Sequence, residues 1–130
     1  MKTLQKKIRV STFGCDVLLV LTDNVYLSEK RIHKKYDTKE VAIEEGTAEG
    51  VSISVNFQLY VIILDIDRIS HNLIGHEVFH VVNRITGDRE ITDEETMAWL
   101  MGFMLQEIHN FIDKKKNARA GKPSEPLPIN

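Results

Sequence analysis

The apolar residues of this chain change their spacing along its length, and each spacing predicts an element. Val51-Ser52-Ile53-Ser54-Val55-Asn56-Phe57 alternates apolar and polar side chains, the period of a strand with one buried face. Leu59 to Leu64 is an unbroken apolar run, which predicts a strand covered on both faces, with Gln58 as a tight turn or bulge between the two. Upstream, Ile8 to about Leu21 is rich in β-branched and aliphatic residues and broken at Gly14 and Asp16. It reads as one kinked strand or two short ones, followed by a turn at Thr22-Asp23-Asn24.

Helical spacing takes over later. Ser70 is placed to cap a helix carrying Leu73, Ile74, Val78, Val81, Val82 and Ile85, with Gly87 as its C-terminal stop. A helix that apolar belongs in a core. Beyond Asp88-Arg89-Glu90-Ile91, Thr92 starts a second long helix running to about Asp113, with a core stripe of Met97, Leu100, Met101, Met104, Leu105, Ile108, Phe111 and Ile112. Its methionines are core filler rather than a copper site. Ser28 can cap a short polar helix from about Glu29 to Tyr36, and Asp37 to Glu49 show no periodicity, as expected of a surface loop. Past Lys114-Lys115-Lys116 the composition turns to Gly, Pro, Ser and charge, which predicts a flexible tail over 114–130. Strands followed by helices predict an α+β fold, a single domain over 1–113 with its helices packed on one face of a small twisted sheet.

Composition narrows the function. The 130 residues suit one compact domain, and a net charge of −2 gives no field for nucleic acid. A single cysteine, Cys15, leaves no internal disulfide and fits a reducing compartment. Met1-Lys2-Thr3-Leu4-Gln5-Lys6-Lys7 lacks the apolar run of a signal peptide, and no apolar run is long enough to cross a bilayer. These features predict a cytoplasmic protein whose partners are neither nucleic acid nor membrane. They leave its oligomeric state open.

The first apolar helix carries the candidate chemistry, His76-Glu77-Val78-Phe79-His80. Histidines four positions apart lie about one helical turn from each other, so both imidazoles can hold one Zn²⁺ with the glutamate alongside. A buried helix whose histidines bond to backbone is the bland alternative, but two histidines and a glutamate without partners are costly to bury.

A catalytic zinc needs a third protein ligand and keeps a position for water. On the second helix, steps of about 100° per residue put Ala98, Trp99, Gly102 and Gln106 within roughly 60° of Glu95. Ala98 and Gly102 are small, so another helix could approach there, with Glu95 reaching the metal. Glu94 is the alternative ligand. Thr92-Asp93-Glu94-Glu95 also fits a capping box in which Glu95 folds back on the Thr92 amide. His33, His71 and His109 read as surface or structural histidines.

His76-Glu77-Val78-Phe79-His80 followed by Glu95-Thr96-Met97-Ala98-Trp99 resembles the HExxH plus ExxA arrangement of gluzincin-type zinc metallopeptidases, including the compact ImmA/IrrE-like group. More closely, the stretch from Asp93 to Phe103 is similar to the acidic, Ala-aromatic-Leu and Gly-aromatic segment of small HExxH proteins encoded in phages and prophages. The resemblance covers about Val51 to Ile112. The short second half departs from the ImmA/IrrE-like pattern and puts a transcription-linked role in doubt. The resemblance implies a minimal zincin-like domain in which His76, His80 and Glu95 bind Zn²⁺ and Glu77 is the general base for a zinc-bound water attacking a peptide bond. A neighbouring strand edge would hold an extended peptide or protein substrate. Tyr26, Tyr36 and Tyr60 are candidates by residue type for an added electrophile. The alternative implied by the phage proteins is a non-catalytic protein-binding module with structural zinc.

Overall fold

A computed structural model describes residues 1–38 and 48–119. Most of the charged loop expected between Asp37 and Glu49, and the tail from 120 onward, lie outside the described residues. The fold is α+β. Strands β1 (Thr3–Val10), β2 (Cys15–Thr22), β3 (Gly50–Asn56) and β4 (Leu59–Asp65) form one mixed sheet in the order β1-β2-β4-β3. The β1/β2 and β3/β4 pairs are antiparallel, and β2/β4 is parallel. Helices α1 (Val25–Tyr36), α2 (His71–Asp88) and α3 (Glu94–Arg119) pack on the sheet.

The stretch from Ile8 to Leu21 resolves into two strands of a hairpin. Ser11–Phe13 make a single 3-10 turn, and Gly14 takes φ 64° to close it, a conformation glycine adopts without steric cost. The first strand begins earlier than the apolar pattern suggests, at Thr3, because Leu4, Lys6 and Ile8 pair with the buried Leu21, Leu19 and Val17. Tyr60 to Leu64 are all fully buried, as a strand in the sheet interior requires.

The layers differ from the expectation of helices on one face. Val17, Leu19, Leu21, Tyr60, Ile62 and Leu64 share a core with α2 and α3, whereas Leu18, Val20, Ile53, Val61 and Ile63 cover α1 through Val25 and Ile32. The unbroken apolar composition of β2 and β4 supports both layers.

Caps explain the other shifts in boundary. Asn24, not Ser28, caps α1 by accepting from the Leu27 amide at 3.0 Å, and Ser28 sits inside the helix with its hydroxyl on Thr22 Oγ1 at 3.0 Å. Ser70 caps α2 as expected, on the Leu73 amide at 3.0 Å. Gly87 does not end that helix; the chain turns at Glu90, at φ 55°. Asp93 rather than Thr92 caps α3, its Oδ2 accepting from the Thr96 amide at 3.0 Å and the Thr96 hydroxyl at 2.6 Å. Those two bonds hold the exposed Asp93 carboxyl below its usual range. Glu95 is therefore free of the capping role. The last helix also continues through the lysines to Arg119.

Candidate metal centre

Burial of one face of α2 sets the site. Leu73, Ile74, Val78, Val81, Val82 and Ile85 lie in the core, which turns His76 and Phe79 outward and leaves His80 half-buried. The imidazoles converge, with His76 Nε2 and His80 Nε2 3.1 Å apart and ring centroids 4.6 Å apart. Without a metal, one Nε2–H donates to the other ring. With metal bonds of about 2.0–2.1 Å, a tetrahedral zinc holds two nitrogens about 3.3 Å apart, so this pair fits two of its corners. Binding would displace the shared proton.

Glu77 points inward and is only 5% exposed. Its Oε1 lies 3.8 Å from His76 Nε2. Burial raises its pKa, opposed in order by His76, His80, the Ser52 hydroxyl and Arg84. Ser52 connects the last two groups: Arg84 Nη1 donates to the Ser52 carbonyl at 2.7 Å and to its hydroxyl at 2.9 Å. The carboxylate thus lies beside β3, one of the two outer strands of the described sheet. Ser52 and Arg84 were missed by sequence reasoning. Arg84 follows Glu77 by seven positions, two helical turns, so the shared face was readable, but the strand it meets was not.

Gly50 makes the close approach of α2 to β3 possible. A Cβ there would stand 3.1 Å from Leu73 Cδ1, 3.2 Å from Glu77 Cγ and 3.2 Å from the Ile63 carbonyl oxygen. Gly50→Ala is expected to cost about 1–2 kcal/mol by overpacking, read as a lower thermal midpoint. A midpoint unchanged or raised would mean the strand and helix separate freely.

The structure does not gather Glu95 with the histidines. Among the described residues, no three His, Cys, Asp or Glu side chains are placed to hold a metal ion. The physical reason is the register of the helix pair. A short link joins α2 to α3, and at the far end His71 meets His109 with ring centroids 4.9 Å apart, so the helices run antiparallel. Glu95, in the first turn of α3, stands by the end of α2, roughly one to two turns past His80, or about 5–10 Å along the axis. It lines a separate cavity with Thr12, Phe13, Thr96 and Trp99. Glu94 is exposed in the same turn. Ala98 and Gly102 are exposed too, and nothing lies within 4 Å of a Cβ built at Gly102, so no helix approaches there among the described residues.

Among the described residues no tyrosine has a hydrogen bond or ring contact with His76 or His80. Tyr60 is fully buried, donating to Asp88 Oδ2 at 2.5 Å. Tyr26 and Tyr36 belong to α1, with Lys30 and Lys35 over their rings. His33 is structural: its ring nitrogens meet Thr38 Oγ1 at 2.6 Å and Glu29 Oε1 at 3.2 Å, all at the end of α1. No described helix is long and apolar enough to cross a membrane. No family model, curated protein or solved structure matches the chain.

Proposed function

We propose that this protein is a zinc-dependent hydrolase of peptide bonds, with His76 and His80 holding the metal and Glu77 as general base. The observation that carries the reading is the convergence of two imidazole nitrogens at 3.1 Å next to a buried carboxylate at a strand edge. A bound zinc supplies a Lewis acid and an acidified water. Glu77 is suited to take a proton from a water in front of the pair and return it to the leaving amine, because burial raises its proton affinity toward neutral pH. Ser52 holds that carboxylate from the β3 side, and Arg84 holds Ser52. The outward backbone groups of β3 are suited to pair with an extended peptide. Arg84 already covers the Ser52 carbonyl, so a peptide adding along the whole edge displaces that guanidinium.

Elemental analysis tests the metal half. The wild type is expected to take up zinc when supplied, and His80→Ala to lose it. Two protein donors are one fewer than the set expected from the sequence, and they make a weaker site than three, so zinc is expected to leave under mild chelation. Wild type and His80→Ala with equal zinc would remove the site. One observation favours a second reading, a non-catalytic protein-binding module with structural zinc: Glu95 stands apart from the pair, beside an exposed tryptophan. That module predicts metal binding without hydrolysis of any peptide in a mixed library.

A further inference from the structure

The cavity at the foot of the α2–α3 pair has a chemistry unlike that of the histidine site. Thr12 and Phe13, from the turn between β1 and β2, face Glu95, Thr96 and Trp99 on the first turns of α3 across about 280 Å³. Trp99 is 50% exposed. Its indole stacks on Phe103, with centroids 5.5 Å apart and planes within 6°. Phe103 lies one turn toward the C-terminus and covers one face of the ring. The other face is therefore turned toward the preceding turn, where Glu95 and Thr96 line the same cavity.

That arrangement leaves a bare π-face beside a carboxylate. Glu95 is exposed, its carboxylate has no hydrogen bond or ion pair with another described residue, and no basic side chain lines the cavity. Indole is the strongest cation–π partner among the side chains, and a carboxylate at its rim adds a charge-assisted hydrogen bond. The opposite wall is fixed, because Arg89 Nη2 donates to the Phe13 carbonyl at 3.2 Å. A planar guanidinium can lie on the indole and present two N–H groups to one carboxylate, which a lysine ammonium cannot do.

We propose that the Phe13, Glu95 and Trp99 cavity binds an arginine side chain of a peptide or protein partner, with the guanidinium on the open face of Trp99 and paired to Glu95. The site is separate from the histidine pair and does not depend on hydrolysis. It also assigns Glu95 a ligand other than metal.

Trp99 is the only tryptophan in the chain, so its fluorescence reports this cavity alone. The full-length protein, with zinc supplied, would be titrated with acetyl-Ala-Arg-Ala-amide and with the citrulline peptide, which keeps the shape and loses the charge. A saturable change is expected with arginine, at least about tenfold weaker with citrulline and weakened about tenfold in Glu95→Gln, with His80→Ala binding the peptide as the wild type does. Glu95→Gln is expected to keep its zinc content and thermal midpoint. No saturable response to the arginine peptide, or equal responses to both peptides, would overturn the proposal. Loss of zinc in Glu95→Gln would overturn it too, by assigning the carboxylate to the metal. Loss of peptide binding in His80→Ala would make the cavity an extension of the metal site and end its independence.

Discussion

Glu77→Gln is expected to lower peptide hydrolysis by about 10²–10⁴-fold while zinc content is unchanged. The amide keeps the shape of the side chain and its place against Ser52, but it cannot accept the proton. Hydrolysis equal to the wild type would rule out Glu77 as base, and with it the enzyme. The same substitution acts on stability in the opposite direction. Burial raises the folded-state pKa of Glu77 above its ordinary value of 4.5. A carboxyl so shifted contributes stability that is fully present below about 4.5 and lost as pH rises through its folded value. Burial disfavours the ionised carboxylate in the metal-free protein, and Glu77→Gln is expected to raise its thermal midpoint by about 3–5 °C, corresponding to about 1 kcal/mol. A lower midpoint would mean that the ionised carboxylate is a net stabilising partner of Ser52 and the histidines. A gain in stability with a loss of activity is the pattern of a group retained for chemistry.

Arg89→Ala is expected to cost about 2–4 kcal/mol, lowering the midpoint by about 10 °C. Its Nη1 donates to the Tyr60 hydroxyl at 3.0 Å and the Ile85 carbonyl at 3.1 Å, and its Nη2 to the Phe13 and Phe57 carbonyls. One fork thus ties together the end of α2, both hairpin turns and the buried Tyr60. Alanine would strand these acceptors. Arg89→Lys is expected to recover little, since an ammonium cannot reach four acceptors in two directions. The exposed Arg9 pair with Asp16, at 3.4 Å, is the contrast: Arg9→Ala is expected to change stability by less than about 1 kcal/mol. Equal effects at the two positions would show that the fork adds nothing to the fold. Tyr60 extends the argument to pH. Burial and the bond to Asp88 push its phenol up to about 12 from 10.0. A raised acid contributes stability present below its unfolded pKa and lost as pH rises through the folded one, so this part disappears between about 10 and 12.

The sequence by itself determined what depends on local periodicity. β3 and β4 begin and end within a residue of where alternation and the apolar run place them, and Ser70 caps α2 where the pattern changes. His76, Glu77 and His80 are brought together by the helix alone, since four residues make about one turn in any helix. Cap choice was less legible, because Ser28 and Thr92 are favoured caps by residue type, as are Asn24 and Asp93, and only the folded backbone decided at which of them each helix starts. Tertiary structure decided what depends on how elements meet. The apolar runs of β2 and β4 fit helices on one face or on both, and only packing put α1 opposite α2 and α3. Glu95 shares a helix face with Ala98 and Trp99 at any register, yet only the antiparallel pairing, fixed by the short link and the His71–His109 contact, decided that this face meets Phe13 rather than the histidines. Ser52 and Arg84 came to Glu77 for the same reason: strand and helix each set their own faces, and the close approach at Gly50 set which faces touch.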